Sequence, residues 1–127
     1  MTDTIAVEQS FDFEIDNGVV IRGFIDRVDK FDEKSIGIND YKTGNWVPSS
    51  EEVELSHQSN MYPLWVFESG KYGKPEGVFF DYHYVKTGQL KSVYRTPESL
   101  DVYKEYLKYL VDQIVRNDNP QPKINIF

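Results

Sequence analysis

Cysteine is absent from the 127-residue sequence, which excludes disulfides, thiolate zinc sites and cysteine-ligated iron–sulfur clusters. No run approaches the roughly 18 consecutive apolar residues that a membrane-spanning helix needs. The amino terminus, Met1-Thr2-Asp3-Thr4, lacks the basic and then apolar order of a secretory signal, so a cytoplasmic protein without membrane attachment is expected. Basic residues are also scarce: 14 Lys and Arg against 21 Asp and Glu give a formal net charge of −7. That balance argues against a nonspecific nucleic-acid coat protein. It does not exclude an enzyme acting on nucleic acid, because a metal site needs carboxylates of its own. Repeats, low-complexity tracts and internal linkers are missing too, and a single domain over residues 1–127 is the expected organisation. Apolar content is modest at 39%, with aromatics at 15% supplying bulk for one core.

What is present first is strand alternation. From Val7 to Ile15, Phe11, Phe13 and Ile15 fall on one side and Glu8, Ser10, Asp12 and Glu14 on the other, the pattern of a half-exposed strand. Asn17-Gly18 then predicts a two-residue type I′ hairpin, with Val19 to Asp29 returning. That loop would set Asp16 opposite Val19, Phe11 opposite Phe24, Gln9 opposite Asp26 and Glu8 opposite Arg27. A second reversal centred on Glu33 leads into a strand from Ile36 to Lys42, placing Val28 opposite Ile38 and Asp26 opposite Asp40.

Residues two apart on a strand share a face, and so do residues directly opposite in a ladder. Asp26, Asp40 and Lys42 would therefore gather at the edge of an apolar face formed by Phe11, Phe13, Ile15, Phe24, Val28 and Ile38. Two facing carboxylates repel and are costly to bury uncompensated. Lys42 offsets one of them, and a divalent cation would offset both. A register one residue off would instead turn one strand's charges to solvent, which leaves a structural charge pair as the other reading.

Three motifs in order, Gly23-x-x-Asp26-Arg27-Val28-Asp29, then Asp40-Tyr41-Lys42-Thr43-Gly44, then Gln58-Ser59-Asn60-Met61-Tyr62, resemble the RecB-like branch of the PD-(D/E)XK nuclease superfamily. The resemblance implies a restriction-endonuclease-like α/β core, with a mixed, mainly antiparallel sheet flanked by helices. It implies that Asp26, Asp40 and the backbone carbonyl of Tyr41 hold Mg²⁺ or Mn²⁺. Lys42 would position the attacking water and offset charge on the phosphate, while Gln58 and Tyr62 would hold DNA or brace the Lys42 strand. The implied activity is metal-dependent DNA phosphodiester hydrolysis, exonucleolytic by preference, in DNA repair or recombination. The alternative is a catalytically incomplete module that binds DNA or a helicase or recombination partner. Two departures leave a minimal nuclease core, a fragment of a larger helicase–nuclease and a member with an incomplete site all open: the sequence begins almost at its first expected strand, without the family's helical region and its usual His ligand, and no His precedes Asp26. Glu8 could replace that ligand, but the register above gives it to Arg27.

Further along, Ser49 and Glu52 form a capping box opening a helix of about four turns to near Ser69, kinked at Pro63. Gln58 and Tyr62 lie one turn apart on it. Core packing, with Leu64, Trp65 and Phe67, is the bland reading of Tyr62. His57 reads as a surface or capping residue. A strand from Gly77 to Lys86 turns into another from Leu90 to Tyr94. Lys86, Lys91 and Arg95 on this hairpin form either a phosphate-contacting rim or, the favoured reading for most of them, charges that block edge pairing. Thr96 as N-cap and Pro97 at N1 open a final helix, with Leu100, Tyr103, Leu107, Leu110, Val111 and Ile114 at helical spacing. Asn117-Asp118-Asn119-Pro120 ends it, before an extended tail from Gln121 to Phe127.

Overall fold

The computed structural model describes residues 3–15, 18–116 and 123–125. The elements run β1 (Asp3–Glu14), β2 (Val20–Lys30), β3 (Ser35–Lys42), α1 (Ser50–Leu55), α2 (His57–Ser69), β4 (Gly77–Tyr84), β5 (Gln89–Arg95), a 3-10 turn (Glu98–Leu100), α3 (Asp101–Arg116) and β6 (Lys123–Asn125). The sheet order is β1-β2-β3-β4-β5, with β6 paired to β2. Three pairings are antiparallel (β1 with β2, β2 with β3, β4 with β5) and two are parallel (β3 with β4, β2 with β6). This is the mixed, mainly antiparallel sheet with flanking helices that the sequence predicts. The parallel pair arises because the chain returns through α1 and α2 before entering β4, the crossover a parallel neighbour requires. The expected tail is partly paired: Lys123–Asn125 forms a short strand beside Val20–Arg22. The predicted helix stop at Asn117–Pro120 lies outside the described residues.

The second hairpin has the predicted register, with Val28 opposite Ile38. The first is shifted by one residue. Phe11 faces Gly23 rather than Phe24, Gln9 faces Ile25 rather than Asp26, and Val7 rather than Glu8 faces Arg27. The cause is loop length. Ile15 N–H donates to the Val19 carbonyl at 2.9 Å, so three residues, not two, span the reversal, with Gly18 at φ 73°. A three-residue hairpin closing on a left-handed glycine is a common alternative to type I′. Asp16 and Asn17 themselves lie outside the described residues.

Two corrections follow from that shift. Phe24 is turned outward, 42% exposed, while Ile21, Gly23 and Ile25 are buried. The Glu8–Arg27 salt bridge is not formed: Arg27 pairs with Asp29 at 3.1 Å, and Glu8 is exposed with φ 50°. Buried positions in β2 change phase between Ile25 and Val28. A single uninterrupted alternation along this strand, which the sequence reading assumed, therefore fails at the point where Asp26 begins the charged cluster.

The core lies between the sheet and α2. Tyr62 meets Phe11 edge-on at 5.4 Å and Phe80 at 5.8 Å, and Trp65 stacks on Phe11 at 4.3 Å. Val28, Ile38, Val78 and Phe80 complete the layer, all with no exposed surface. α3 lies beside α2, joined by the Lys104–Glu68 ion pair at 2.9 Å, with Leu100, Leu107 and Val111 buried. Thr96 Oγ1 accepts from Ser99 N–H at 3.2 Å, but this closes the 3-10 turn at Glu98–Leu100, and the α-helix itself starts at Asp101 rather than at Pro97.

Gly23 permits the close approach of these layers. A Cβ there would collide with the Phe11 ring and stand 2.9 Å from Tyr62 Cε1. Rings packed on both sides cannot retreat freely, so Gly23→Ala is expected to destabilise the fold by about 1–3 kcal/mol. Urea denaturation checks this, and an unchanged midpoint would contradict it.

Candidate active site

β3 carries Asp40, Tyr41 and Lys42 at its end, and β2 brings Asp26 beside them. Tyr41 N–H donates to Asp26 Oδ2 at 2.9 Å, so the two strands are joined through the carboxylate itself. Asp40 is 7% exposed, and Lys42 Nζ lies 2.7 Å from its Oδ2. That contact is an ion pair; among the described residues no hydrogen-bond donor is aligned on this buried oxygen. Burial pushes the Asp40 carboxyl above the ordinary carboxylate range. Lys42 opposes the shift, and the adjacent Asp26 carboxyl adds to it. The strands thus hold an acid at a cost that a cation would remove.

Lys42 is held from three elements. Besides Asp40, its ammonium donates to Gln58 Oε1 on α2 at 3.1 Å and sits 5.3 Å above the Tyr82 ring of β4. Tyr82 OH also donates to Gln58 Oε1 at 3.1 Å and lies 3.0 Å from Ser56 Oγ. Burial, with help from Asp40, pushes the Tyr82 phenol up to about 12, so it remains a donor at neutral pH. Tyr62 reaches the other strand, its hydroxyl accepting from Phe24 N–H at 3.3 Å. Burial raises its pKa as well. Asp26, Asp40, Tyr41, Lys42, Gln58 and Tyr62 are therefore all brought together.

The helix that supplies Gln58 differs from expectation. The capping box is formed, with Glu52 N–H donating to Ser49 Oγ and Ser49 N–H to Glu52 Oε1, both at 3.1 Å. The expected single helix is instead two, broken at Ser56. Ser56 is extended, at φ −66° and ψ 150°, and caps α2 by accepting from Ser59 N–H at 3.2 Å. Pro63 sits inside α2, where it cannot donate to the Ser59 carbonyl. That carbonyl accepts instead from Arg95 Nε at 3.1 Å, and the same guanidinium reaches the Glu54 carbonyl. Arg95 is 7% exposed, so it is a buried tie between β5 and the helices, not part of a surface rim.

Sequence reasoning missed Tyr82, Ser56 and Arg95. The Tyr82 placement follows from the parallel register that sets it beside Asp40, and strand alternation alone does not reveal that register. Neither histidine belongs to the charged cluster. His57 Nδ1 lies 3.0 Å from Tyr103 OH and ties α2 to α3. His83 Nε2 lies 2.8 Å from Asn39 Oδ1, and Asn39 donates to the buried Asp29 at 3.0 Å. The His83 ring stands 5.0 Å from Tyr41, whose other neighbour is the Arg27 guanidinium at 5.7 Å.

Two carboxylates and a lysine, with oxygen donors only, suit a hard divalent cation that keeps several waters. The buried Asp40 carboxylate, offset by Lys42 alone and set beside a second carboxylate, Asp26, fits such an ion. Among the described residues no group of three or more His, Cys, Asp or Glu gathers to hold one, so backbone and water oxygens would complete the shell. No helix among the described residues is long and apolar enough to cross a membrane. The family model of the PD-(D/E)XK nuclease superfamily matches residues 2–123, and no curated protein matches the chain.

Proposed function

The chain belongs to the PD-(D/E)XK nuclease superfamily, and from that premise we propose that it is a Mg²⁺- or Mn²⁺-dependent DNA phosphodiesterase of the RecB-like type, acting as an exonuclease. The observation that carries this reading is the convergence of Lys42 on Asp40 and Gln58 from separate elements, with Asp26 fastened to the Tyr41 amide between them. Asp26, Asp40 and the Tyr41 carbonyl are the groups that would hold the cation. When bound, that cation supplies Lewis acidity to the phosphoryl oxygens and makes a bound water more acidic.

In this reading Lys42 binds and orients a non-bridging phosphate oxygen and offsets the charge that grows there. Gln58 and Tyr82 fix the direction of its ammonium. Water adds to phosphorus and gives up a proton, the bond to the departing deoxyribose oxygen breaks, and that oxygen takes up a proton. Tyr62 braces β2, and hence Asp26, through the Phe24 amide.

Incubating end-labelled linear and closed circular DNA with Mn²⁺ tests the proposal. Degradation of the linear form alone is expected; cutting of the circle would make the enzyme an endonuclease. The small ligand set favours a second reading, a catalytically incomplete module that binds DNA or a helicase or recombination partner. Failure to cut either substrate in Mn²⁺ would leave that reading standing.

A further inference from the structure

Between β3 and α1 an irregular segment carries Trp46, one of the two tryptophans, 69% exposed despite its large apolar ring. It does not stand alone on the surface. With Pro48, Val53, Tyr82 and Tyr84 it lines a cleft of ≈ 610 Å³, and Lys42 lines the same cleft. That volume falls in the range of roughly 300–1,000 Å³ typical of small-molecule sites. The cleft thus includes the lysine of the charged cluster, and Tyr41, Trp46, Pro48, Val53, Tyr82 and Tyr84 give it an aromatic and aliphatic lining beside polar residues that include Glu52.

We infer that Trp46 is a stacking residue for an unpaired nucleobase whose own strand phosphate lies at Lys42, and that this cleft makes the enzyme select unpaired over duplex DNA. The inference rests on the nuclease reading for the position of that phosphate. A base inside a duplex has both faces stacked and its edge paired, and a terminal pair frees one face but keeps its edge paired. An unpaired base is therefore the one free to leave the stack and lie on a protein aromatic within a cleft. The charge balance points the same way. At a net charge of −7 the chain has little to gain from backbone phosphates in general, and stacking is the attraction that an acidic protein does not forfeit. Binding through the cleft should therefore depend only weakly on salt.

Fluorescence tests this without requiring turnover. The sequence has two tryptophans, and Trp65 is buried at 6% exposure, so quenching by an added strand reports Trp46. Titration with an oligothymidylate in EDTA should quench the emission, and a duplex of equal length should not. Trp46→Phe should remove the signal, and its kcat/KM on unpaired DNA should fall between those of the wild type and Trp46→Ala, because a smaller ring remains to stack. Trp46→Ala should lower kcat/KM on unpaired DNA by roughly 5- to 100-fold, the span that one base–aromatic stack supports, and leave Mn²⁺-dependent thermal stabilisation intact. No quenching by the single strand, or wild-type cleavage of it by Trp46→Ala, would overturn the inference while leaving the nuclease reading in place. Quenching by a protein that cuts nothing would uphold the base subsite and count against the nuclease reading.

Discussion

Asp40→Asn is expected to lower Mn²⁺-dependent DNA hydrolysis by on the order of 10³-fold or more, since in the proposed reading it removes a charged oxygen that contacts Lys42 and would bind the cation. The same substitution should erase the rise in Tm that Mn²⁺ is expected to give the wild-type protein. A ligand that binds only the folded state adds about 2.7 kcal/mol of stability at 100 times its Kd, and loss of the ligand oxygen removes that gain. Without metal the variant should be at least as stable as the wild type at neutral pH. The sign follows from burial. The folded carboxyl titrates above its ordinary value of 3.8, so its ionisation costs stability as pH rises through the folded pKa, and that cost disappears below the unfolded value. The stability difference between variant and wild type should therefore shrink on acidification. Thermal melts with EDTA and with Mn²⁺ at several pH values check all three points. An undiminished Mn²⁺ response in Asp40→Asn would remove the carboxylate from the metal site.

Arg95→Ala is expected to lower stability by about 3 kcal/mol. The guanidinium satisfies the Ser59 carbonyl, which Pro63 deprives of its helical donor, together with the Glu54 carbonyl at the end of α1. Charged hydrogen bonds of this kind contribute about 1.5–3 kcal/mol each, and the orphaned acceptors would remain buried. For a chain of this length the loss corresponds to roughly 10 °C in Tm. Arg95→Lys should recover only part of it, because an ammonium cannot reproduce the planar fork that reaches both carbonyls. Gln58 lies on α2 just after the break at Ser56, so Arg95→Ala should also loosen the Lys42 contact and reduce activity beyond the fraction unfolded. A melt unchanged within a couple of degrees would show that the carbonyls find other donors.

These two residues differ in how far the sequence exposes them. Asp40 was legible because the turn centred on Glu33 aligns Val28 with Ile38, and that alignment carries Asp26 toward Asp40 without further information. Arg95 was not. On an outer hairpin a cation reads as solvent-facing, and its burial is explained only by a carbonyl left open by Pro63, a residue distant along the chain. The first hairpin misled for a local reason: Asn17-Gly18 suits a two-residue turn, yet a three-residue loop closing on Gly18 is also open to it. Neither propensity nor alternation separates the two. The break at Ser56 was hidden likewise, since this one serine ends α1 with its backbone N–H, donated to the Val53 carbonyl, and caps α2 with its side chain. Gln58 and Tyr62 kept their predicted neighbourhood despite the break, because both fall after it on one continuous helix.

The strands that place Asp26 beside Asp40 also explain why a sheet protein tolerates adjacent carboxylates. Asp26 is engaged by the Tyr41 amide and Asp40 by Lys42, so neither is left without a positive partner.

Lys42→Ala in the Mn²⁺ cleavage assay is the most direct test of the central claim, that this cluster is a working nuclease site. Wild-type protein should degrade end-labelled linear DNA in Mn²⁺ and not in EDTA. Lys42→Ala should cut roughly 10²- to 10³-fold more slowly while retaining its Mn²⁺-dependent gain in Tm. Cleavage by Lys42→Ala at the wild-type rate would contradict the account.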